Sequence, residues 1–304
     1  MIPDPAKTTG ETPSPPTEGL RHHKTSSAEQ DLRHLESILE DLLKKRRYEA
    51  AISPLRQIAS LRPGHNSMEK LAAVLRNAGH HLYYDSAFEQ AKQRFSEAEE
   101  IFASLGKITE IYKIRTARAR CEGALGNFQE AARLLKKLIK YPSDGKYGNR
   151  LSAEDKNFNP KEAVAKNYYY LSIALAKQNL WREALSAARS AARLTSDPNY
   201  KNLALWGEGL ALLEIKRYHP ALKKLRRARE YFSGENPYRA VLIDESIARC
   251  LHRLGQNTGA LRLLDECIKT FSEKGIQRDW VYFHRGVTKE SLGDADGADA
   301  DYLK

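Results

Sequence analysis

The side chains with the clearest capacity for chemistry in this sequence are cations and aromatics, because no catalytic or metal-binding set is evident. The chain has nine histidines and three cysteines, yet these never fall at the spacing of metal ligands. It contains no Gly-x-Ser-x-Gly, no His-Glu-x-x-His and no Gly-rich phosphate loop, the motifs that mark nucleophilic, metal-assisted and phosphate chemistry. We therefore predict that the protein is not an enzyme and uses no cofactor or metal.

Lysines, arginines and tyrosines instead recur on helical segments at spacings that place them on one face. Lys and Arg form charge-assisted hydrogen bonds with carboxylates, and Tyr and Trp provide rigid contact area. The pattern predicts a groove that is basic with tyrosines and apolar beside it, which suits an extended or helical peptide with acidic and large apolar residues. The predicted partner-binding residues are Arg76, His80, Tyr83, Tyr84, Lys113, Arg120, Lys166, Tyr169, Lys177, Trp206 and Leu210.

Two other interpretations of these residues stay open from the sequence. The charged side chains could be merely solvated, while Leu203 and Trp206 could pack on a neighbouring part of the same chain. The net charge of +11 also raises nucleic acid as a partner, because a basic chain attracts phosphates whatever their sequence. Against this, the basic runs form no single track, and no zinc-finger or helix-turn-helix motif is present.

An internal repeat positions these residues. An alanine recurs seven times, and a large aromatic stands three positions before each of the first five. The intervals are 37 to 40 residues, except for one of 53 between Ala131 and Ala184. Such a period is typical of stacked arrays, in which no unit buries its apolar face alone. The repeated alanines are Ala51, Ala91, Ala131, Ala184, Ala221, Ala260 and Ala298.

A small residue stands twelve positions before the alanine in six of the seven units, and apolar residues such as Phe95 and Leu225 follow the alanine by four. This spacing predicts two helices pressed together, because small residues let the backbones approach and the aromatic fills the gap at the bend. The small residues are Gly79, Ala119, Ser172, Gly209, Ala248 and Gly286.

These residues resemble the tetratricopeptide repeat, in a variant with an extended period of 37 to 40 residues. The segments 75–98 and 168–184 follow the family pattern closely, and the resemblance extends over residues 31–304. It implies an all-α fold, a right-handed α-solenoid of about seven helical hairpins whose first helices line a concave face. It also implies a protein-interaction scaffold or adaptor that captures its peptide or partner helix on that face.

Four positions depart from the family pattern. Leu39 occupies a slot for a small residue, and Arg115 and Arg118 fall where core residues are expected. Pro54 lies well inside a second helix, where its missing N–H is expected to kink the helix.

The chain divides into a tail and an array. Residues 1–27 are rich in Pro, Thr and Ser, which predicts a disordered tail. Residues 28–304 form the array, with an insertion loop at 141–160 and an incomplete last repeat, as expected of a fragment of a longer protein. The cysteines lack paired spacing and no apolar run is long enough to span a membrane, which favours reduced thiols and a cytoplasmic location.

The resemblance leaves a second functional class open. Arrays of this longer period look like those that precede caspase-like proteases or transcription regulators in bacteria, where they act as sensors. A regulatory sensor array that controls an attached or partner effector is therefore the alternative to a scaffold, and a nucleic-acid-binding adaptor is the next. The sequence indicates neither the identity of the partner nor the oligomeric state.

Overall fold

The fold is all-α over the residues that the structure describes. This structure, a computed structural model, describes the backbone of residues 19–143 and 145–304 and the side chains of residues 29–142 and 149–304. A 3-10 turn covers Tyr141–Ser143. The helices are α1 (Gly19–Lys44), α2 (Tyr48–Leu61), α3 (His65–Tyr84), α4 (Phe88–Ser104), α5 (Ile108–Ala124), α6 (Phe128–Lys140), α7 (Gly145–Glu154), α8 (Pro160–Ala176), α9 (Trp181–Leu194), α10 (Pro198–Glu214), α11 (Tyr218–Glu235), α12 (Pro237–Arg253), α13 (Asn257–Glu273), α14 (Asp279–Glu290) and α15 (Ala295–Tyr302).

These helices form seven hairpins, as the repeat predicts, and α7 is the one described helix outside them. The seven repeated alanines are all buried, with at most 2% of the residue exposed. They lie at the start of the second helix of each hairpin, where a larger side chain would hold the two helices apart. The pairs are α1/α2, α3/α4, α5/α6, α8/α9, α10/α11, α12/α13 and α14/α15.

The chain divides into two compact units, and the boundary lies between Ala78 and Gly79, within α3. In the first unit α1 packs on α2, and α2 runs from Tyr48 to Leu61 without ending at Pro54. In the second unit, helices that follow one another along the chain pack together from α4 to α15, with α8 packing on α6. The first helices of successive hairpins also meet: α5 contacts α8, α8 contacts α10, α10 contacts α12, and α12 contacts α14.

Glycine at the close-contact position leaves room for a core side chain of the facing helix. A Cβ atom on Gly209 would lie 2.6 Å from both Cγ and Cδ2 of Leu225, and one on Gly79 would lie 2.7 Å from the ring of Phe95. Real Cβ atoms do not approach other atoms this closely, so each glycine is required by the packing. The predicted role of the small residues is therefore confirmed at these positions.

We expect Gly209→Ala to be less stable than Gly207→Ala by about 1–3 kcal/mol, the usual cost of overpacking a core. Both substitutions lie inside α10 and share the gain of about 1 kcal/mol in helix propensity, so their difference isolates the clash. A Cβ on Gly207 would make only ordinary contacts, 3.6 Å from Ser172 and 3.7 Å from Ala188. Urea unfolding followed by circular dichroism measures the difference. Equal stability of the two variants would contradict this account of Gly209.

The hairpin turns share one backbone feature. Each contains a residue in the left-handed region, which reverses the chain after the first helix. Glycine fills this position in three of the hairpins, at Gly126, Gly255 and Gly293. The remaining four hairpins place a residue other than glycine there, namely Arg46, Ser86, Asn179 and Lys216.

The two arginines that fall where the repeat pattern expects core residues are exposed (Arg115) and half-buried (Arg118), and both form ion pairs at the edge of the α4–α5 contact. Arg115 Nε lies 2.7 Å from one carboxylate oxygen of Glu99, and an Nη of Arg118 lies 2.7 Å from the other. A single glutamate on α4 therefore bridges two turns of α5. This bridge explains how α5 carries two cations where the repeat pattern expects apolar residues.

The predicted insertion loop at 141–160 is partly helical, because α7 occupies Gly145–Glu154. Its anchor is Leu151, which is fully buried in a small cluster with Tyr112 and Leu138. The hydroxyl of Thr109 also donates to the Leu151 carbonyl at 3.3 Å. The insertion is therefore a packed helix that docks beside α5, followed by an irregular stretch over residues 155–159.

Glu154, at the end of α7, caps the beginning of α5. Its carboxylate accepts from the backbone N–H groups of Ile108 at 2.8 Å and Thr109 at 3.2 Å, two donors that have no acceptor inside the helix because they lie in its first turn. We expect Glu154→Ala to lower the free energy of unfolding by about 0.5–2 kcal/mol and to speed amide hydrogen exchange at both residues. Lys156→Ala, nearby and exposed, is the control. Unchanged exchange at Ile108 and Thr109 would contradict the cap.

The predicted tail over 1–27 overlaps the beginning of α1. Helix α1 begins at Gly19, and residues 1–18 lie outside the described residues. The sequence has no proline between Pro16 and Pro54, so nothing in this stretch interrupts the helix from Gly19 onwards.

Two further observations concern the described residues as a whole. None of their helices is both long and apolar enough to cross a membrane. Cys121, Cys250 and Cys267 are buried free thiols, and burial raises the pKa of Cys121 to about 11. At neutral pH the thiols are therefore protonated core residues.

Candidate functional site

A row of four cavities follows the first helices of the second unit. We name them the charged cavity (about 560 Å³, between α5 and α8), the tyrosine cavity (about 330 Å³), the apolar cavity (about 410 Å³, between α8 and α10) and the polar cavity (about 440 Å³, between α10 and α14). Neighbouring cavities share lining residues. Arg120 and Tyr170 join the first two, Tyr169 and Lys177 the next two, and Arg249 the last two.

Most of the predicted partner-binding residues line this cavity row. His80, Lys113, Arg120 and Lys166 line the charged cavity, and Tyr83 lines the tyrosine cavity. The apolar cavity contains Tyr169, Lys177, Trp206 and Leu210. These residues share one surface because they are spaced three or four positions apart along the first helices, and this spacing keeps side chains on one helical face.

Arg76 and Tyr84 do not line these cavities. Arg76 belongs to the first unit, where its Nη2 donates to the Asn77 side chain at 3.5 Å. Tyr84 projects into solvent with 76% of the residue exposed, and its ring meets only the edge of Tyr83 among the described aromatic contacts, at 5.9 Å. Their predicted role in binding stays a prediction.

Lys113 is engaged within the protein. Its Nζ lies 2.8 Å from a Glu110 oxygen and 3.2 Å from an Asp155 oxygen. Burial works to lower the pKa of Lys113, but the bonds to these two carboxylates outweigh it, so that the pKa is raised. Asp155 is held by the backbone N–H of Asn157 at 2.9 Å. This bond and Lys113 lower the pKa of Asp155, so the pair is ionised at neutral pH.

Arg120 is held between two tyrosine rings. Its guanidinium carbon lies 4.4 Å from the centre of the Tyr83 ring and 5.0 Å from that of Tyr170, the geometry of a cation–π contact. Its Nε is buried and has no hydrogen-bond acceptor among the described residues. The aromatic rings fix the side chain without neutralising its charge.

Lys166, on α8, is also held by a tyrosine ring. Its Nζ lies 4.7 Å from the centre of the Tyr200 ring, and the Tyr200 hydroxyl is 3.0 Å from that of Tyr170. Burial raises the pKa of Tyr170 above its ordinary value, and burial together with Tyr170 raises that of Tyr169 to about 12. These phenols therefore stay protonated at neutral pH and can donate hydrogen bonds.

A buried polar network supports the floor of the charged cavity. The Asn167 side chain donates to the Tyr112 hydroxyl at 2.7 Å and accepts from Thr116 at 3.1 Å, and Tyr112 donates to the Leu138 carbonyl at 3.2 Å. Since each polar group here has a partner, the network fixes α5 against α8.

The apolar cavity exposes hydrophobic surface beneath a cationic edge. Ile173 is 42% exposed and lines it together with Trp206 and Leu210, while Lys177 stands at the rim. Leu203 also lines this cavity, but it is buried in the core, so packing inside the chain accounts for most of its surface, as the alternative interpretation predicted. The Trp206 indole nitrogen is buried without a hydrogen-bond partner among the described residues.

The polar cavity mixes cations, histidines and carboxylates. His284 Nε2 lies 3.3 Å from a carboxylate oxygen of Glu245, and Arg249 is 2.5 Å from Glu214. Burial, followed by the nearby Arg249 charge, lowers the pKa of His284 to about 4, and burial raises that of Glu245. Of the three cations that line this cavity, Arg249 is the one with an ion pair to a described carboxylate.

Four residues of the site were missed in the sequence: Tyr170, Tyr200, Asp155 and Glu162. Tyr170 had a signal, since it ends a run of three tyrosines that begins at Tyr168. Glu162 lies in the first turn of α8 and receives the Ser196 N–H at 3.0 Å. Asp155 and Tyr200 reach the cavity from the insertion and from the next hairpin, and the repeat pattern of α5 and α8 alone does not predict them.

Comparison with known proteins gives matches at the level of structure. No protein-family model matches the sequence, and no curated protein does. Among solved structures, the apo form of RapI is 13% identical, covers 90% of this chain and 95% of its own, and superposes with a TM-score of 0.63. A tetratricopeptide repeat protein from Parabacteroides merdae is 17% identical, with coverages of 90% and 91% and a TM-score of 0.54.

A third match is a signal transduction ATPase with numerous domains from Pyrococcus horikoshii, which carries a tetratricopeptide repeat sensor. It is 11% identical with a TM-score of 0.64, and the match covers 94% of this chain but only 45% of the larger protein. At these identities the likeness concerns the fold. It confirms an all-α solenoid of helical hairpins like those of the tetratricopeptide repeat.

Proposed function

We propose that this tetratricopeptide-like array is a protein-interaction module that captures a peptide or partner helix along the cavity row of its second unit. The partner carries an acidic residue and large apolar side chains. The observation that carries this proposal is the continuity of the row, in which Arg120 and Lys166 adjoin tyrosines and the apolar cavity follows on the other side of α8. Cations and rigid aromatics beside an apolar pocket are the groups that anchor such ligands.

A regulatory sensor is the second candidate, and one observation favours it. The match to a signal transduction ATPase with a tetratricopeptide repeat sensor extends over 94% of this chain. In this version the same row binds the ligand, and its occupancy controls an effector. The two candidates share their binding surface and differ in the consequence of binding.

The test is selection of linear peptides from a random 12-residue display library on the immobilised full chain, followed by fluorescence anisotropy of the selected peptide. Ile173→Glu places a charge on the wall shared by the tyrosine and apolar cavities. Because Ile173 is exposed, this change spares the core, and it is expected to abolish binding. Leu180→Glu, at a similarly exposed residue outside the row, is the matched control.

Three outcomes separate the possibilities. Peptides that combine an acid with large apolar residues and lose binding only to Ile173→Glu support the proposal. Failure to select any peptide, or equal binding by both variants, overturns it. Binding of a single-stranded oligonucleotide that falls steeply with salt and ignores Ile173→Glu would favour the nucleic-acid adaptor instead.

A further inference from the structure

We infer that the charged cavity is a subsite for one side-chain carboxylate of the partner, and that the insertion makes it selective against a doubly charged phosphoryl group. This inference rests on the proposed function and assigns the recognition of the acidic residue to a specific place. It also gives the insertion a role, because Asp155, Asn157 and Phe158 form one wall of the cavity.

The first step is that two cations in this cavity have no internal counter-ion. Neither Arg120 nor Lys166 forms an ion pair with a described carboxylate, and tyrosine rings hold both. An aromatic face orients a cation but does not satisfy its N–H donors as an anion would. Both side chains are therefore prepared to receive an anionic ligand.

The second step concerns the phenols. Tyr170 and Tyr200 share one hydrogen bond, with 3.0 Å between their oxygens. One hydroxyl proton lies between the two oxygens, which leaves the other proton to point elsewhere. The cavity wall thus offers one further donor beside the two cations, and a carboxylate oxygen can accept it.

The third step is a count of the charges that line the cavity. Lys113 and Asp155 neutralise each other. Glu162 adds one carboxylate to the wall, which accepts hydrogen bonds from Thr195 and from the backbone and hydroxyl of Ser196. Arg120 and Lys166 supply two positive charges and Glu162 one negative charge, so the cavity has one net positive charge. A carboxylate carries one negative charge and balances it, whereas a phosphoryl group carries about −1.5 to −2, would leave the filled cavity with a negative charge, and costs more to remove from water.

The insertion supplies the selective element. Asp155 follows α7 and is held on the cavity wall by the backbone N–H of Asn157 and by Lys113. The aromatic ring of Phe158 packs on Tyr112, with 5.6 Å between the ring centres, which fixes the segment against α5. Removing the Asp155 charge leaves Lys113 paired with Glu110 and raises the net charge of the groups that line the cavity by one, so the cavity should admit a phosphoryl group.

The experiment is a double-mutant cycle on the full chain with the display-selected peptide. The acidic residue of the peptide is changed from Glu to Gln, and Lys166→Gln is made in the protein. The peptide change is expected to lower affinity about 10-fold on the wild-type chain and less than about 2-fold on Lys166→Gln. Lys161→Gln, exposed on the same helix, should behave as the wild type.

A competition arm tests the selectivity. Sodium acetate and inorganic phosphate are titrated against the bound peptide at constant ionic strength. Acetate should displace the peptide from the wild-type chain at the lower concentration, and Asp155→Asn should reverse this order. Stronger competition by phosphate on the wild type would overturn the selectivity for a carboxylate.

The remaining outcomes distinguish the subsite from the proposed function. A peptide that binds without coupling to Lys166 overturns the subsite and leaves the proposed function standing. Coupling that disappears on amidating the peptide C terminus, and not on changing Glu to Gln, overturns the assignment to a side chain. If no peptide binds, the proposed function fails and the subsite fails with it.

Discussion

Phe95→Ala should lower the free energy of unfolding of the second unit by about 3–5 kcal/mol, the usual range for removing a buried aromatic side chain. Phe95 is 0% exposed, and its ring lies against the Gly79 position and meets the His80 ring at 5.0 Å between centres. Its removal opens a cavity that these neighbours cannot fill. Urea unfolding followed by circular dichroism gives the change, with Phe283→Ala, at a residue 54% exposed, expected to cost less than about 1 kcal/mol.

A second substitution tests the cause of this loss. On the wild-type chain Gly79→Ala should destabilise, because its Cβ would lie 2.7 Å from the Phe95 ring. On the Phe95→Ala background the same Cβ enters empty space, and the gain in helix propensity of about 1 kcal/mol should dominate. The effect of Gly79→Ala therefore changes sign between the two backgrounds. A destabilising effect in both would show that Gly79 is needed for a reason other than the contact with Phe95.

This pair shows why the repeat could be predicted from sequence. The contact between a glycine and an aromatic of the facing helix is local in sequence, because both residues belong to the same helical hairpin. Packing allows few residue types at such a contact, so the pattern of Gly79, Ala91 and Phe95 recurs in phase along the chain. The hairpins, the buried alanines and the stripe of first-helix residues follow from it.

The insertion could not be predicted in the same way. Its helix α7 contains two glycines and polar residues, and its sequence alone favours a loop. The helix is fixed by Leu151, packed against Tyr112 and Leu138, together with the cap that Glu154 provides to α5. These contacts join segments far apart in the sequence, and no periodic pattern records them.

The charge state of the groove is the part of the site where the sequence was least informative. Counting cations on one helical face predicts that the tyrosine-containing part of the groove is basic. In the structure Asp155 neutralises Lys113 from the insertion, and Glu162 adds a carboxylate to the same wall. Arg120 and Lys166 face tyrosine rings and form no ion pair with a described carboxylate. Such differences depend on tertiary neighbours, which one sequence does not reveal.

Trp206→Ala should weaken binding of the display-selected peptide by about 30- to 1,000-fold, or about 2–4 kcal/mol, as expected for a large aromatic at the centre of a binding surface. Trp206 lines the apolar cavity together with Trp181 and Leu210, so its removal deletes one wall of the pocket for an apolar side chain. Trp206→Phe retains a ring and should lose less. Trp280→Ala is the control, because Trp280 is exposed and lies outside the four cavities.

Anisotropy titration gives the affinities, and the thermal midpoint of each variant shows whether the half-buried Trp206 also supports the fold. A peptide without tryptophan should shift the emission of the wild-type chain, and Trp206→Phe should remove most of that shift. If Trp206→Ala binds within about 3-fold of the wild type while Ile173→Glu does not bind, the peptide crosses the row without entering the apolar cavity. The affinity would then reside in the tyrosine and charged cavities, where Arg120 and Lys166 lie.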